Sequence, residues 1–282
     1  LHLQSLHINK QRYCKFSVNQ NHWALLAEVY NIVWFDEVDS TNSRLASCRE
    51  ILPSGSVFAA LRQSAGRGQR GNGWSAAAGE NLTFSLLCRM ERLPSRSQFS
   101  ISRATALALT DYLASKGIRA MIKWPNDIYV GDRKICGILI ENSIIGGSIS
   151  SSIIGIGLNV NQTQFDGLPN PVSMSLLTGV RYDLKAEIET LLHHLGARLA
   201  DVCRPGLLER DYDALLYRKG VWKDYLDCRN LAAASLTATT SPVEGGRTIR
   251  GCIEGVSPEG MLLLRTGNGL PERFAFKEIR YL

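Results

Sequence analysis

Three short stretches of this chain gather residue types that could do chemistry on an anion. The first is Gly66-Arg67-Gly68-Gln69-Arg70-Gly71-Asn72-Gly73-Trp74. Four glycines in eight residues let a backbone approach a ligand closely and adopt positive φ. Arg67 and Arg70 add forked, delocalised donors suited to carboxylate or phosphate, and Trp74 can cover a flat ring. The segment reads as an anion-gripping loop with an aromatic lid; a solvated surface loop or an RGG-like RNA contact shares its composition. It is not a P-loop, since no Gly-Lys-Ser/Thr follows, and no strand-GxGxxG-helix context supports a dinucleotide fold.

The second stretch is Lys123-Trp124-Pro125-Asn126-Asp127, followed by Lys134-Ile135-Cys136-Gly137-Ile138-Leu139-Ile140-Glu141. Pro125 imposes an extended or turning backbone that projects Lys123, Asn126 and Asp127 near one another. Lysine, amide and carboxylate together could hold a phosphate and its Mg²⁺, which prefers oxygen ligands plus substrate phosphates. A β-turn capped by Asn126 and Asp127 is the plainer alternative. Lys134 begins a nearly uncharged strand in which Gly137 lets a ligand lie against the backbone. An edge-protecting lysine is again the bland reading. The third stretch, Gly155-Ile156-Gly157-Leu158-Asn159-Val160-Asn161, is a strand ending in asparagines that could cap a turn or hydrogen-bond a purine edge or ribose.

These stretches need a scaffold, and the pattern around them supplies one. IVWFDEV from Ile32 reads as a strand, and Asp39-Ser40-Thr41-Asn42 offers good N-cap residues for a short helix through about Arg49. SVFAAL (56–61) and NLTFSLLCR (81–89) read as strands flanking the glycine-rich loop. Ile101, Ala104, Ala108 and Tyr112 fall at helical spacing over 100–116, with Gly117 placed as a stop. AMIKW, DIYVG, KICGILIEN and SSIIGIGLNV are strand signals, and helices are expected over 185–202 and 206–217. After Gly220 the texture changes to short alternating runs, VWKDYL, TIRGCIEGV, MLLLRT and ERFAFKEI, as in a small all-β barrel or sandwich. The expected organisation is an extension over 1–31, an α+β catalytic domain over 32–218 and a small β domain over 219–282.

Composition narrows the function classes. Of 282 residues, 45% are hydrophobic and 21% charged, as in an ordinary globular protein, and the net charge of +6 mildly favours anionic partners. Seven cysteines stand singly with no CxxC, which suits reduced thiols in a cytoplasmic protein, and the five histidines show no metal-ligand spacing. No apolar run approaches ~20 residues, so no membrane span is expected. The start, LHLQSLHINKQRYCK, lacks the apolar region of a signal peptide.

The order Asp-Ser-Thr-Asn, GRGQRGNGW, KWPND, KICGIL and GIGLNVN, over roughly Ile32 to Leu282, resembles the biotin protein ligase family. The resemblance implies a mixed sheet backed by helices and followed by an SH3-like barrel. It implies that biotin is activated by ATP to biotinyl-AMP and transferred to a lysine of a biotin carboxyl carrier protein domain. Ser40, Thr41, Asn42 and Gln63 would bind the biotin ureido head. Gly66, Gly68, Gln69 and Gly71 belong to the loop closing over biotin and the adenylate, with Arg67 and Arg70 as its charged grips. Trp74 would stack on the adenine side, Lys123, Asn126 and Asp127 would form the phosphate and Mg²⁺ end, and Asn159 would lie near the nucleotide. Lys134 would touch the biotin carboxylate and α-phosphate, beside Gly137. Family members often carry arginine where this chain has Gln69.

A lipoate ligase of the same architecture is the nearest rival, and a ligase doubling as a repressor is another. The winged helix of a repressor needs ~60 residues, so with 31 before the core DNA binding is not expected. A homodimer is left open.

Overall fold

The computed structural model describes residues 30–165, 167, 170–229, 246–267 and 269–282. The expected extension over 1–31 thus lies outside the described residues except for its last two. Seven strands form the larger sheet: β1 (Asn31–Val38), β2 (Ser56–Gln63), β3 (Leu82–Pro94), β4 (Met121–Lys123), β5 (Asp127–Val130), β6 (Arg133–Ile145) and β7 (Ser148–Leu158). Their order is β1-β2-β3-β7-β6-β5-β4, with β1 and β2 parallel and every other neighbour antiparallel. The sheet is mixed, as the resemblance implied. β6 and β7 make a longer hairpin than their sequence signals suggested, turning at Gly146 and Gly147, both with positive φ.

Among the described residues five helices complete this part: α1 (Thr41–Cys48), α2 (Phe99–Ser115), α3 (Met174–Thr178), α4 (Leu184–Leu199) and α5 (Pro205–Ala214). Helix α3, which the sequence reading missed, is short; the Ser173 side chain caps it and Gly179 ends it at a φ of 73°. One continuous core joins Ile101 and Leu107 of α2, Leu191 and Leu195 of α4 and Leu208 of α5 to Phe84, Ile138, Ile154 and Ile156 of the sheet. On the opposite face α1 makes a smaller cluster, Leu45 against Phe58, Leu87 and Ile153.

The C-terminal strands β8 (Trp222–Asp227), β9 (Arg247–Val256), β10 (Leu262–Thr266), β11 (Glu272–Phe274) and β12 (Ile279–Tyr281) form an antiparallel sheet, β11-β10-β9-β8-β12. The run ERFAFKEI is two strands, not one, broken by a turn in which Lys277 has a φ of 74°. This sheet is fastened to the larger body. Arg103 of α2, fully buried, donates to the Val256 and Ser257 carbonyls at 2.9 and 2.8 Å and pairs with Glu209. Trp124 Nε1 donates to the Gly260 carbonyl at 2.9 Å, and Leu262, Leu264, Phe274 and Ile279 enter the common core. Among the described residues no helix is long and apolar enough to cross a membrane.

Candidate active site

Alternation along a strand decides where the site can be. In β6 and β7 it turns Ile138, Ile154 and Ile156 into the core and Gly137, Gly155 and Gly157 to the other side. Cross-strand register then sets Thr83, Gly157, Gly137 and Asp127 in one row, with Ser85, Gly155 and Leu139 in the next. The result is a floor of backbone. A Cβ on Gly155 would overlap Asn42 Oδ1, and one on Gly157 would overlap the Trp74 indole; at Gly137 it would come to 3.2 Å from the same ring. Above this floor lies a cavity of about 380 Å³.

One end of the cavity is a polar network at the start of α1. Ser40, Thr41 and Asn42 are each only 3% exposed. Ser40 stands at the N-cap position with extended backbone, yet its side chain makes no capping bond, and its hydroxyl is left for other partners. The Thr41 backbone N–H lies 2.7 Å from Gln63 Oε1, and that donor requires the oxygen of the amide there. Gln63 Nε2 is therefore the end turned to other partners. Asn42 Nδ2 donates to Glu141 Oε2 at 2.9 Å, so Asn42 Oδ1 accepts from the Ser85 hydroxyl at 2.5 Å. Ser85 Oγ also lies 2.8 Å from Thr41 Oγ1.

The glycine-arginine loop folds over the middle. Gly68 N donates to Asn72 O and Trp74 N to Gly66 O, which closes a small hairpin around the turn Gln69–Gly71, where Arg70 sits. A side chain on Gly66 would overlap the Trp74 carbonyl, so the hairpin needs glycine there. Arg67 pairs with Glu141 at 2.7 Å and reaches Ser43 at 3.2 Å. The Trp74 indole lies across Gly137 and Gly157, and its buried Nε1 has no hydrogen-bond partner.

Charge concentrates at the other end. Lys134 Nζ pairs with Asp127 at 2.7 Å and sits 5.9 Å from the Trp74 ring centre. Lys123 pairs with Asp127 across the β4–β5 hairpin, but its ammonium points elsewhere, donating to Tyr129 OH at 3.0 Å and lying 4.9 Å from the Tyr281 ring centre. Burial, reinforced by Arg218 and Lys134 and opposed by Asp127, holds Lys123 below the usual lysine range. Burial and the Asp127 charge push Tyr129 up to about 12, so its phenol keeps its proton. Burial also pushes the Cys136 thiol well up, which makes it a packing residue and no nucleophile.

The cavity wall includes Ser40, Thr41, Asn42, Gln63, Arg67, Gly68, Gln69, Trp74, Lys123, Asn126, Asp127, Lys134 and Gly137, all singled out from sequence. Gly66 and Gly71 shape the loop without lining it. Asn126 uses its Nδ2 to hold the Ile138 carbonyl at 2.8 Å. Asn159 is not part of the wall. Its Nδ2 donates to the Val172 carbonyl at 3.1 Å and its backbone N–H to Ile135, so it ties down the segment before α3. Its Nδ2 is thus engaged within the protein, by a carbonyl 13 residues further along the chain. Sequence reasoning missed Ser85, Gly155 and Gly157, Glu141, and Arg280 and Tyr281 of the small sheet. For the two glycines a signal existed, the alternation Gly-Ile-Gly, which marks one face of a strand as bare.

The model of the biotin/lipoate A/B protein ligase family matches residues 34–159. A bifunctional ligase/repressor of Bacillus spizizenii is 28% identical over 272 residues, 93% of this chain and 78% of that protein. The biotin–[acetyl-CoA-carboxylase] ligase of Mycobacterium tuberculosis is 29% identical over 240 residues, 82% of each. A variant of the Aquifex aeolicus biotin protein ligase, solved in complex with biotin, superposes with a TM-score of 0.68 at 25% identity, covering 88% of this chain and 97% of that one. The same organism's ligase with biotin and ATP gives 0.70 at 24% identity, a likeness of fold. Each of these likenesses is to the biotin protein ligases, a family this chain is similar to over most of its length.

Proposed function

We propose that this chain is a biotin protein ligase that forms biotinyl-AMP from biotin and ATP and transfers the biotinyl group to a lysine of a biotin carboxyl carrier protein domain. The observation that carries the reading is the bare floor of Gly137, Gly155 and Gly157, running from the Thr41–Gln63 network to the Lys134–Asp127 pair. A flat, fused-ring urea fits against such a floor with its polar head in the network. Its carboxylate, carried on an extended chain, then reaches toward Lys134.

In the first step a biotin carboxylate oxygen attacks the α-phosphorus of ATP and pyrophosphate leaves with the broken bond's electrons. In the second, the carrier lysine amine attacks the acyl carbon of the mixed anhydride, AMP leaves and the amine gives up its proton. Neither step needs a nucleophile from the protein, so rate comes from positioning and from charge stabilisation. Lys134 supplies a fixed cation where negative charge grows, and Arg67, Arg70 and the loop exclude water from the anhydride. Mg²⁺, held by Asp127 and substrate phosphates, would neutralise the triphosphate; one carboxylate on the wall suits an ion that keeps few protein ligands.

The reading divides the chain into a catalytic part, 32–218, and an assisting part, 219–282, whose Arg280 and Tyr281 close the phosphate end. It makes the protein a cytoplasmic enzyme. The test is biotin-dependent ATP–pyrophosphate exchange, with lipoate in parallel and a carrier domain as acceptor. Exchange driven by lipoate and not by biotin would overturn it.

A further inference from the structure

We propose that Glu141 is a positioning residue for biotin, joining the glycine-arginine loop to the head pocket through one carboxylate. The inference rests on the ligase reading above. Glu141 stands within β6 at the row just beyond Leu139 and faces the same side as Gly137. One oxygen, Oε2, accepts from Asn42 Nδ2 at 2.9 Å, and the other, Oε1, pairs with Arg67 at 2.7 Å. No other described acidic side chain pairs with either residue.

The consequence is directional. An asparagine amide can present either end to a neighbour, and a carboxylate admits only its NH₂. Glu141, the nearer acceptor of Asn42 Nδ2 beside the Leu139 carbonyl at 3.4 Å, therefore sets Asn42 Oδ1 toward Ser85, whose hydroxyl must donate, and Ser85 in turn contacts Thr41 beside Gln63. The donor and acceptor pattern offered to the ligand head is thus fixed from outside the cavity wall. Bonds to a carboxylate are charge-assisted and about twice as strong as neutral ones, so the end of the chain is its strongest link. Arg67 draws on the same carboxylate, and this stems the loop beside the head pocket.

The test compares Glu141→Ala, Glu141→Gln and Ser85→Ala in the full-length protein, by steady-state pyrophosphate exchange and by release of preformed adenylate. Glu141→Ala is expected to raise the biotin KM about ten-fold, with the ATP KM within about two-fold. Glu141→Gln keeps an acceptor for Asn42 and loses the ion pair to Arg67, so it should restore most of the biotin KM while adenylate release stays fast. In the Ser85→Ala background, adding Glu141→Ala should raise the biotin KM by much less than it does alone. A biotin KM unchanged in Glu141→Ala, biotin and ATP KM values rising together, or strict additivity with Ser85→Ala would overturn the assignment. Wild-type exchange that ignores biotin would instead defeat the ligase reading itself, which keeps the two failures apart.

Discussion

On their helix-covered side, β6 and β7 present Ile138, Ile154 and Ile156, packed to 4% exposure or less against α2 and its neighbours. On the opposite side the same strands present Gly137, Gly155 and Gly157. The two faces share one backbone and one hydrogen-bond ladder, yet they answer to different demands. The core face needs volume, and any apolar group of about the right size meets that need at modest cost. The open face needs the absence of volume, because Asn42 and Trp74 already occupy the places where a Cβ would go. Stability should therefore read out one face and chemistry the other.

The sharpest break between them is expected at Lys134, whose ammonium reaches over the open face to Asp127. Lys134→Ala should lower biotin-dependent pyrophosphate exchange by ~10²–10³, the usual loss when one group stabilising transition-state charge is removed. The melting temperature should hardly move, and exchange near the wild-type rate would remove Lys134 from the chemistry. Next come paired substitutions at neighbouring residues of β7. Gly157→Ala puts a methyl group on the floor where the indole now lies and a ligand would lie, and should cut exchange by about 10², as a displacement of the ligand near 1 Å can. Ile156→Ala should instead cost about 2–5 kcal/mol of stability with KM values held, because it leaves a cavity in the core. If both variants lose stability equally, the division between faces fails.

Smaller effects test the two ends of the cavity. Gln69→Arg places a permanent cation in the loop where glutamine offers neutral hydrogen bonds, and it should slow biotinyl-AMP release about ten-fold with little change in ATP affinity. Dissociation of preformed adenylate, chased with unlabelled biotin, is the measurement. Unchanged release would turn this side chain away from the anhydride. At the phosphate end, Lys123 gives up its proton at lower pH than an exposed lysine, since burial disfavours its charge. As pH rises its cation is lost early, so the ATP KM should climb on the alkaline side sooner than in Lys123→Arg, which stays charged. Superimposable pH profiles would show that Lys123 serves the Tyr129–Tyr281 packing and not the nucleotide.

What could be read in advance was whatever lies in one linear stretch. The glycine-arginine loop, KWPND and KICG name themselves by composition, and helices such as Leu184–Leu199 follow from their spacing. Glu141 and Ser85 could not be placed, because their meaning comes from register across four strands, and the alternation at Gly155 and Gly157 marks a bare face without saying what lies over it. No local pattern says that Ser85 faces Asn42, 43 residues away in the chain. Asn159 is ambiguous for the opposite reason. A strand-end asparagine looks the same whether it turns to a ligand or to a following carbonyl, and here Val172 takes it. The small sheet was legible as short strands, while the role of Arg103 in fastening it was not, since a buried arginine in an apolar helix carries no signal of its partners.

The place of Trp74 has a calorimetric consequence. A ligand laid over Gly137 and Gly157 takes space that the indole now fills, so binding trades one apolar contact for another and releases little ordered water from the floor. The heat-capacity change on biotin binding should then be smaller in magnitude than the ligand's own apolar area implies. The indole N–H is buried without an acceptor, so a ring move that brings it to one would add favourable enthalpy to the same event. Binding should accordingly be driven by heat and accompanied by a change in tryptophan emission, and replacing Trp74 with alanine should restore the larger heat-capacity signature of an open, wet floor.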